Sequence, residues 1–357
     1  MGKKSKDVYY FNANIYNDQN DLIRATFDRN FNDVFIGDGD KYYMSISRFA
    51  ISHMSIPIMF WEANKYSVSV YDTIANVEIQ TFCAPVTTGA YAQFTGNPVF
   101  YYWQIQQSIN TALRASYNLI PALAPHFTPP FVLYREETGR FEFYMEQNLA
   151  AFVNVSFNAP LFQLFQYFPA FFNGYNQPYG SDYTLFSSEK LDESNLVVIG
   201  GNTYIKMTQE REALYLFNQI QSIVFYNRSL AITNEYGETK DYSPNASSLE
   251  SAPVMIDFVP NMNAARDLSE YQYYQTGRPH LIEIGNIKDI NHFIFDIAVQ
   301  GRNGKVYPLY LEPGETVKVK FAFYKKSLFN SQYTKLDDLD PEEKKELVSV
   351  SKKKYIN

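Results

Sequence analysis

The amino-acid sequence predicts an all-β fold: a jelly-roll β-sandwich built from the N- and C-terminal segments, with an inserted mixed α/β region that projects from it. Two observations lead to this fold class. Residues 8–82 and 214–324 contain many short stretches in which apolar and polar side chains alternate, as half-buried strands require. The stretch between them carries a long helical pattern instead. A jelly roll brings N- and C-terminal strands together in two sheets, which explains why the strand-rich segments lie at both ends.

The clearest strands lie in residues 281–326, where the side chains alternate with a period of two. The expected inward residues are Phe293, Phe295, Ile297, Val299, Val317, Val319, Phe321 and Phe323. The expected outward residues are Asp296, Gln300, Lys318, Lys320 and Tyr324. Asn303-Gly304 and Pro313-Gly314 are turn pairs because their glycines tolerate a positive φ. The pattern predicts an antiparallel meander of three strands with one buried, apolar face.

The N-terminal segment supplies the remaining strands of the first half. Residues 8–16, VYYFNANIY, form one strand, and residues 42–60 form a longer one. The alternation of the longer strand changes face near Arg48, which predicts a β-bulge. Residues 66–71 and 76–82 then predict a hairpin.

The middle of the chain changes to a helical period. Ile105, Ile109 and Leu113 recur every four residues among polar neighbours, which predicts an amphipathic helix. A hairpin that turns at Gly139 follows. A second short helix is predicted over residues 160–168, because proline fits the first helical position.

These elements predict a division of the chain into four parts. The parts are a first jelly-roll segment (1–83), the insertion (84–212), a second jelly-roll segment (213–326) and a charged C-terminal tail (327–357). In the second jelly-roll segment, residues 229–233 are expected to form a strand and residues 261–277 to be irregular. In the tail, a helix is expected to begin at Asp340, followed by proline and acidic residues.

The composition excludes several classes of protein. The 30 tyrosines and 29 phenylalanines in 357 residues suit strands and half-wet surfaces. A net charge of −7 argues against a protein that wraps nucleic acid. The single cysteine, Cys83, excludes an internal disulfide framework and suits a reducing compartment. The start of the chain lacks the apolar run of a secretion signal, and no 18-residue apolar run predicts a membrane span. The sequons at Asn154, Asn227 and Asn245 are therefore expected to be unused.

No catalytic, cofactor-binding or metal-ligating residues are predicted. The four histidines, His53, His126, His280 and His292, do not pair at metal-ligand spacing, and no phosphate-loop or nucleophile-elbow motif occurs. Cys83 is expected to be a small buried thiol. Two carboxylates that only folding brings together, as in glycosidases, stay open at this point. The sequence thus predicts a protein that is not an enzyme and uses no cofactor.

Two further features have both a binding and a structural interpretation. The aromatic run at residues 165–175, FQYFPAFFNGY, resembles a platform on which bases or sugars stack. Since it lacks interleaved arginine or lysine, core packing and subunit contact are favoured. Lysine clusters at the two ends suit either nucleic acid or ordinary solvated termini. These clusters are Lys3, Lys4 and Lys6 at the start and Lys352, Lys353 and Lys354 at the end.

Three passages resemble a known family in pattern and order. They are VYYFNANIYNDQ with KYYMSISRFAISHMSIPIM, then APLFQLFQYFPAFFNG with FNQIQSIVFYNRSLAI, and last VMIDFVP with GRPHLIEIGNIKDINHFIFDIAVQGRNGKVYPLYLEPGETVKVKFAFYKK. Over most of residues 8–326 the chain resembles the minor capsid, or penton, proteins of virophages, Polintons and Polinton-like viruses. The resemblance does not extend to the tail after Lys326.

This resemblance implies a structural role in a virus particle. It implies a jelly roll that forms homopentamers at icosahedral vertices, among trimeric major capsid proteins. The expected partners are further copies of the chain and the major capsid protein. The expected location is the virion, after synthesis in the host cytoplasm or nucleus without secretion. The two lysine clusters would then face the packaged genome or internal proteins.

Two other functions stay open from the sequence. A single jelly roll with a projecting insertion also suits a major capsid protein, and particle stoichiometry would distinguish the two capsid roles. A jelly-roll carbohydrate-binding module is the second alternative. It would need a cleft of exposed aromatic residues beside carboxylates, and it would bind glycans as an isolated protein.

Overall fold

The computed structural model describes most of the chain between residues 7 and 329. The described residues are 7–32, 35–52, 55–86, 97–123, 125–165, 168–172, 183–186, 195–213, 220–232, 236–238, 251–259, 270–285, 288–302 and 304–329. The two lysine clusters, the sequon at Asn245 and the helix expected from Asp340 all lie outside these residues.

The described residues form strands β1–β26 and helices α1 and α2. The strands of the first half are β1 (Val8–Tyr16), β2 (Ile23–Arg24), β3 (Thr26–Asn30), β4 (Ile36–Gly37), β5 (Tyr42–Ser52), β6 (Met59–Phe60), β7 (Ser67–Asp72), β8 (Val77–Phe82), β9 (Pro98–Val99), β10 (Phe131–Arg135), β11 (Arg140–Glu146), β12 (Val153–Phe157), β13 (Phe171–Phe172) and β14 (Tyr183–Phe186). Those of the second half are β15 (Leu196–Ile199), β16 (Asn202–Thr208), β17 (Ile220–Asn227), β18 (Tyr236–Glu238), β19 (Ser251–Phe258), β20 (Glu270–Tyr274), β21 (Ile282–Glu283), β22 (Asp289–Ile290), β23 (His292–Gly301), β24 (Val306–Pro308), β25 (Tyr310–Leu311) and β26 (Thr316–Lys325). The helices are α1 (Tyr102–Asn118) and α2 (Ala159–Leu164).

Two antiparallel sheets form the jelly roll, which confirms the predicted fold class. The first sheet has the order β1-β26-β5-β20, and β21 also pairs with β5. The second has the order β18-β19-β17-β23-β24, and β3 also pairs with β23. The first and last strands of the described residues pair with each other, since β1 lies beside β26 along its whole length, from Val8 opposite Tyr324 to Tyr16 opposite Thr316.

Phenylalanine side chains fill the space between these two sheets. Phe49 of β5 lies 5.3 Å from Phe225 of β17, and Phe295 of β23 lies 5.1 Å from Phe321 of β26, measured between ring centroids. Because each pair joins opposite sheets, the rings hold the sandwich together. All eight residues predicted to point inward in the C-terminal stretch are buried, so that face is confirmed.

The bulge predicted in the second long strand is also present. Lys320 lies opposite Arg48, but its neighbour Phe321 lies opposite Ile46, so Ser47 is the extra residue. The Ser47 hydroxyl donates a hydrogen bond to the Lys320 carbonyl at 3.0 Å. The strand itself ends at Ser52 and does not reach residue 60 as expected.

The predicted three-strand meander is wrong in its last step. β23 pairs with β24, as expected, but β26 lies between β1 and β5 in the opposite sheet. The chain crosses between the sheets after β25, which pairs with β2. Asp296 was also expected on a wet face, yet it is buried, because Arg24 and Arg228 cover the outer side of β23 there.

Two shorter segments differ from expectation as well. Residues 270–274 form β20, which pairs with β5, because Tyr271 and Tyr273 pack on Phe49. Residues 229–232 form a turn and an isolated bridge to Ile284 in place of a strand.

A second core lies in the inserted region. It is enclosed by the sheets β13-β14-β12-β7-β8 and β10-β11-β16-β15, with α1 packed against β7, β8 and β10. Ile105, Ile109 and Leu113 are fully buried, so the predicted amphipathic helix is confirmed. The predicted second helix is present but shorter. It begins after Asn158, whose side chain accepts a hydrogen bond from the Leu161 amide at 3.1 Å.

The two cores divide the chain differently from the predicted boundary at residue 83. The hairpin β7–β8 pairs through β7 with β12, so residues expected in the jelly roll pack in the second core. The change of core lies at the β6–β9 pair, where Met59 and Val99 belong to the second core. Phe60 instead stacks on Tyr307 of the jelly roll, with ring centroids 3.6 Å apart. The β7–β8 hairpin therefore packs with the insertion, and the four-part division itself stays a prediction.

Candidate functional site

The outer face of the sheet β1-β26-β5-β20 exposes tyrosines and cations side by side. We call Tyr10, Arg48, Tyr274, Lys318 and Lys320 the tyrosine–cation face. The sheet register brings four of its strands into one row, in which Asn12, Lys320, Arg48 and Tyr274 lie opposite one another in turn. The bulge at Ser47 lets Ile46 and Phe49 both be buried while Arg48 is exposed.

The cations of this face rest on the tyrosine rings. The Lys320 Nζ lies 4.7 Å from the centroid of the Tyr10 ring, and the Arg48 Cζ lies 6.0 Å from that of Tyr274. The two rings nevertheless remain 59% and 54% exposed. Lys318 adds an ion pair with Glu270 at 3.8 Å. Because the cations already rest on the rings, these side chains lose little conformational freedom when a partner binds. Tyrosine and arginine are also enriched at protein interfaces.

The outer face of the opposite sheet has a different character. Four of its side chains, Val224, Tyr226, Ala298 and Val306, form a small buried apolar cluster. Burial raises the pKa of the Tyr226 hydroxyl to about 12. Asp28 and Asp257 are exposed on the same sheet, and the Asp28 Oδ1 bonds His292 Nε2 at 2.7 Å.

A buried carboxylate anchors this second face. The Asp296 side chain accepts a hydrogen bond from the Thr26 hydroxyl at 2.5 Å, lies 3.7 Å from Arg24 and forms an ion pair with Arg228. Arg24 belongs to β2, Thr26 to β3, and Arg228 directly follows β17. Through these contacts Asp296 holds three chain segments against β23, so its role is structural.

A groove of about 580 Å³ lies at the open edge of the sandwich, between β19 and β20. Its lining includes Asp257, His280, Tyr271 and Tyr273. Tyr273 stacks on Phe49 at 5.4 Å, and the Tyr271 hydroxyl donates to the Val259 carbonyl at 3.0 Å. These rings contribute to the sandwich and do not stand free as the carbohydrate-binding alternative requires.

Within the described residues, the side chains that could serve catalysis or bind a metal lie apart from one another. Within the described ranges, no group of three or more histidine, cysteine and acidic side chains is placed to hold a metal ion. Cys83 is buried, and burial raises the pKa of its thiol to about 12, which makes it a poor nucleophile. His126, His280 and His292 lie on separate elements, and His53 is outside the described residues.

The aromatic run and the sequons also have structural positions. Phe165 and Phe168 are buried in the second core, as the packing interpretation predicted. Phe172 is half exposed and packs on Tyr183 at 5.1 Å. The side chain of Asn227 is buried, donates to the Leu230 carbonyl and accepts from the Leu230 amide at 3.0 Å. A glycan at Asn227 is incompatible with this position.

The family comparison decides among the capsid and binding alternatives. The family model described as Sputnik minor capsid protein V18/19 matches residues 99–325. The chain belongs to this family. This minor capsid protein is a structural component of the virion, as the sequence resemblance predicted, and it is not an enzyme. Among curated proteins, no sequence match is found.

Two solved structures share the fold of this minor capsid protein. A chain in the cryo-EM structure of the Sputnik virophage is 22% identical, with a TM-score of 0.65 over 91% of this chain and 99% of that one. The crystal structure of the mavirus penton protein is 15% identical, with a TM-score of 0.60 over 89% of this chain and 99% of that one. No helix in the described part of the chain is long and apolar enough to cross a membrane.

Proposed function

We propose that this minor capsid protein is a penton: a homopentamer that closes the icosahedral vertices of the virion among major capsid proteins. The observation that carries the proposal is the likeness to the mavirus penton protein, which extends over both the jelly roll and the insertion. Its family membership favours this role over that of a major capsid protein.

The two outer faces of the jelly roll suit the contacts that a ring needs. A closed ring of identical subunits requires a heterologous interface, with one surface on each side of the subunit. The tyrosine–cation face supplies exposed tyrosines with Lys320 and Arg48. The opposite outer face supplies Asp28 and Asp257 around a small apolar cluster. Contact between the two faces of neighbouring subunits would pair opposite charges around aromatic rings.

The decisive measurement is the mass of the purified protein in solution by light scattering. A pentamer has about five times the 41.4 kDa mass of the chain. Arg48→Glu reverses a charge within the tyrosine–cation face and should shift the mass towards the single chain. Arg114→Glu, exposed on α1 of the insertion, is the matched control and should leave the mass unchanged.

Two results would contradict the proposal. A wild-type protein that stays at 41.4 kDa at high concentration, both alone and with major capsid protein, would exclude a self-assembling penton. Equal masses for the Arg48→Glu and Arg114→Glu variants would exclude the tyrosine–cation face as the contact surface.

We further propose that the lysine clusters at the two ends of the chain face the interior of the particle. Positive ends on a chain of net charge −7 suit the packaged genome or an acidic internal protein. Deleting residues 1–6 and 351–357 should reduce assembly or genome content without changing the melting temperature of the isolated protein. Unchanged particles would remove this part of the proposal. The single reduced cysteine suits synthesis in the host cytoplasm or nucleus.

A further inference from the structure

The chain leaves the jelly roll over the outer face of its first sheet. After β26 it turns, and the Phe329 amide donates to the Lys326 carbonyl at 3.0 Å. The Phe329 ring packs edge to face on Tyr324 and Tyr43, with centroid distances of 5.9 and 6.0 Å. Tyr324 and Tyr43 lie opposite each other in the register of β26 and β5. Tyr324 stands four residues from Lys320 on the same strand, so the two share a face. The C-terminal tail therefore begins on the face that carries the tyrosine–cation face.

Several contacts fix this exit point. The Lys326 Nζ lies 5.3 Å from the centroid of the Tyr43 ring and donates to Glu283 Oε1 at 2.8 Å. The Lys326 amide donates to the Lys41 carbonyl at 2.7 Å, and the Lys41 Nζ pairs with Asp38 Oδ2 at 2.8 Å. The two lysines beside the exit thus already have acidic partners.

Two cations of the tyrosine–cation face have no acidic partner. Arg48 and Lys320 lie opposite each other in the register, and within the described residues neither forms an ion pair with a carboxylate. Each rests on a tyrosine ring, as described above. The third cation, Lys318, lies 3.8 Å from Glu270. An acidic partner that also offers apolar side chains would complement this face.

The tail contains a segment with this composition. Residues 337–346, DDLDPEEKKE, include six acidic residues and two lysines. We call them the acidic segment. Leu336 and Leu339 stand beside its first carboxylates and suit contact with tyrosine rings. The charge and the apolar content of the segment therefore match both components of the tyrosine–cation face.

The length of the tail allows this contact within one chain. Lys320 and Lys318 lie four and six residues before Tyr324 on β26, which is about 13 and 20 Å along the strand. Asp337 follows Phe329 by eight residues, which span at most about 28 Å when fully extended. Both lysines are thus within reach of Asp337. A short tether also gives a high effective concentration, on the order of millimolar, which favours contact within the chain.

We infer that the acidic segment binds the tyrosine–cation face of its own chain, with Asp337 and Asp338 beside Lys320 and Arg48. The segment then competes with a neighbouring subunit for this face, a consequence that rests on the proposed function. A neighbour must displace the segment before it binds. The tail therefore raises the protein concentration at which rings form.

Carbodiimide cross-linking of the full-length protein tests the docking. The reagent joins a carboxylate to a lysine amine as an amide, with loss of water, so it captures pairs in contact. In the single-chain fraction at low protein concentration, peptide mass spectrometry should find links from residues 337–346 to Lys320 or Lys318, and fewer at high salt. Lys65, exposed in the insertion, is the control lysine and should give no link to the segment. A mixture of isotope-labelled and unlabelled protein should show that the links lie within one chain.

A pair of matched variants tests the competition. Asp337→Asn with Asp338→Asn should form pentamers at an about fivefold lower protein concentration, because two exposed charge pairs no longer hold the segment on the face. Glu136→Gln with Glu137→Gln removes the same charge from the exposed β10–β11 turn of the insertion and should assemble like wild type. Light scattering across a dilution series measures both.

The outcomes separate this inference from the proposed penton. Absence of links to Lys318 and Lys320 overturns the docking, even if wild-type protein forms pentamers. Links that are as frequent to Lys65, that reach only Lys41 or Lys288, or that join only different chains overturn it as well. Links within one chain, in a protein that never exceeds the single-chain mass, support the docking and contradict the penton. Equal assembly concentrations for the tail variant and wild type would exclude the competition.

Discussion

Phe295 of β23 and Phe321 of β26 meet edge to face across the jelly-roll core, with ring centroids 5.1 Å apart and ring planes at 65°. Both side chains are fully buried, and they belong to opposite sheets. Their contact therefore connects the last strand of the described chain, which pairs with the first, to the centre of the second sheet. A charge at either position has no partner in this core.

Substituting Phe295→Asp or Phe321→Asp should lower the free energy of unfolding by more than about 4 kcal/mol or prevent folding, because each places an unpaired carboxylate between the sheets. Asn12→Asp introduces the same carboxylate on the exposed face of β1, opposite Lys320, and should change stability by less than about 0.5 kcal/mol. Urea unfolding followed by circular dichroism measures all three. Equal midpoints would show that the inward and outward faces are assigned wrongly.

The sequence predicts these faces because alternation is a local property. Phe295 and Phe321 stand in runs with a period of two, so their direction follows from their neighbours alone. The partner of a strand is not local. The pattern of residues 316–324 contains no information on their partners β1 and β5, so the order of the chain alone predicts this strand beside β24. Likewise the polar side chain of Asp296 predicts a solvent-exposed face. In the fold, Arg24 and Arg228 from other elements cover it, which the local pattern does not predict.

The tyrosine–cation face is predictable from the sequence only in part, because strand pairing is not a local property. Lys318 and Lys320 were expected to point outward, and the bulge near Arg48 was expected from the change of face. Their arrangement in one row with Tyr274 depends on the register of four strands. One of these strands, β20, was missed because its Tyr–Gln–Tyr–Tyr pattern lies within a polar stretch and is stabilised by contacts with Phe49.

Asp296 should matter far more than a neighbouring exposed acid. Asp296→Asn removes the charge that faces Arg24 and Arg228 on the outer side of β23, where the carboxylate is buried, and should cost about 2 kcal/mol of unfolding free energy. Asp28→Asn makes the same chemical change at an exposed position on β3, beside His292, and should cost less than about 0.5 kcal/mol. Urea unfolding at neutral pH compares the two, and equal losses would exclude an anchoring role for Asp296.

The buried thiol makes Cys83 a reporter of unfolding. Because burial raises its pKa to about 12, little thiolate exists at pH 8, and the side chain is also shielded from reagents. Ellman's reagent should therefore react slowly with native protein and rapidly in urea, with one equivalent released, since the chain has one cysteine. The urea midpoint of labelling should match that of circular dichroism. Rapid labelling of native protein at pH 8 would contradict the position assigned to Cys83.

Glu142 on the outer side of β11 forms ion pairs with both Arg135 and Lys206. Its carboxylate accepts hydrogen bonds from Arg135 Nε at 2.8 Å, from the Tyr144 hydroxyl at 2.5 Å and from Lys206 Nζ at 3.3 Å. Burial by itself would raise the pKa of Glu142. The hydrogen bonds from Arg135, Tyr144 and Lys206 outweigh it, so the pKa lies below its ordinary value.

Because the pKa of Glu142 is lowered in the folded protein, the stability that its ion pairs contribute falls as the pH is lowered. The stabilisation is complete above the ordinary glutamate pKa of 4.5 and is lost as the pH falls through the lower value of the folded protein. Glu142→Gln should therefore destabilise the protein by about 1.5–3 kcal/mol at pH 7, and the difference from wild type should shrink below pH 4.5. Glu62→Gln, in the exposed pair with Lys65, is the matched control and should cost less than about 0.5 kcal/mol at either pH. Urea unfolding of the three proteins across this pH range is the measurement. A Glu142→Gln deficit that stays constant down to pH 3 would show that the carboxylate is not ionised in the fold, and that its contacts act as neutral hydrogen bonds.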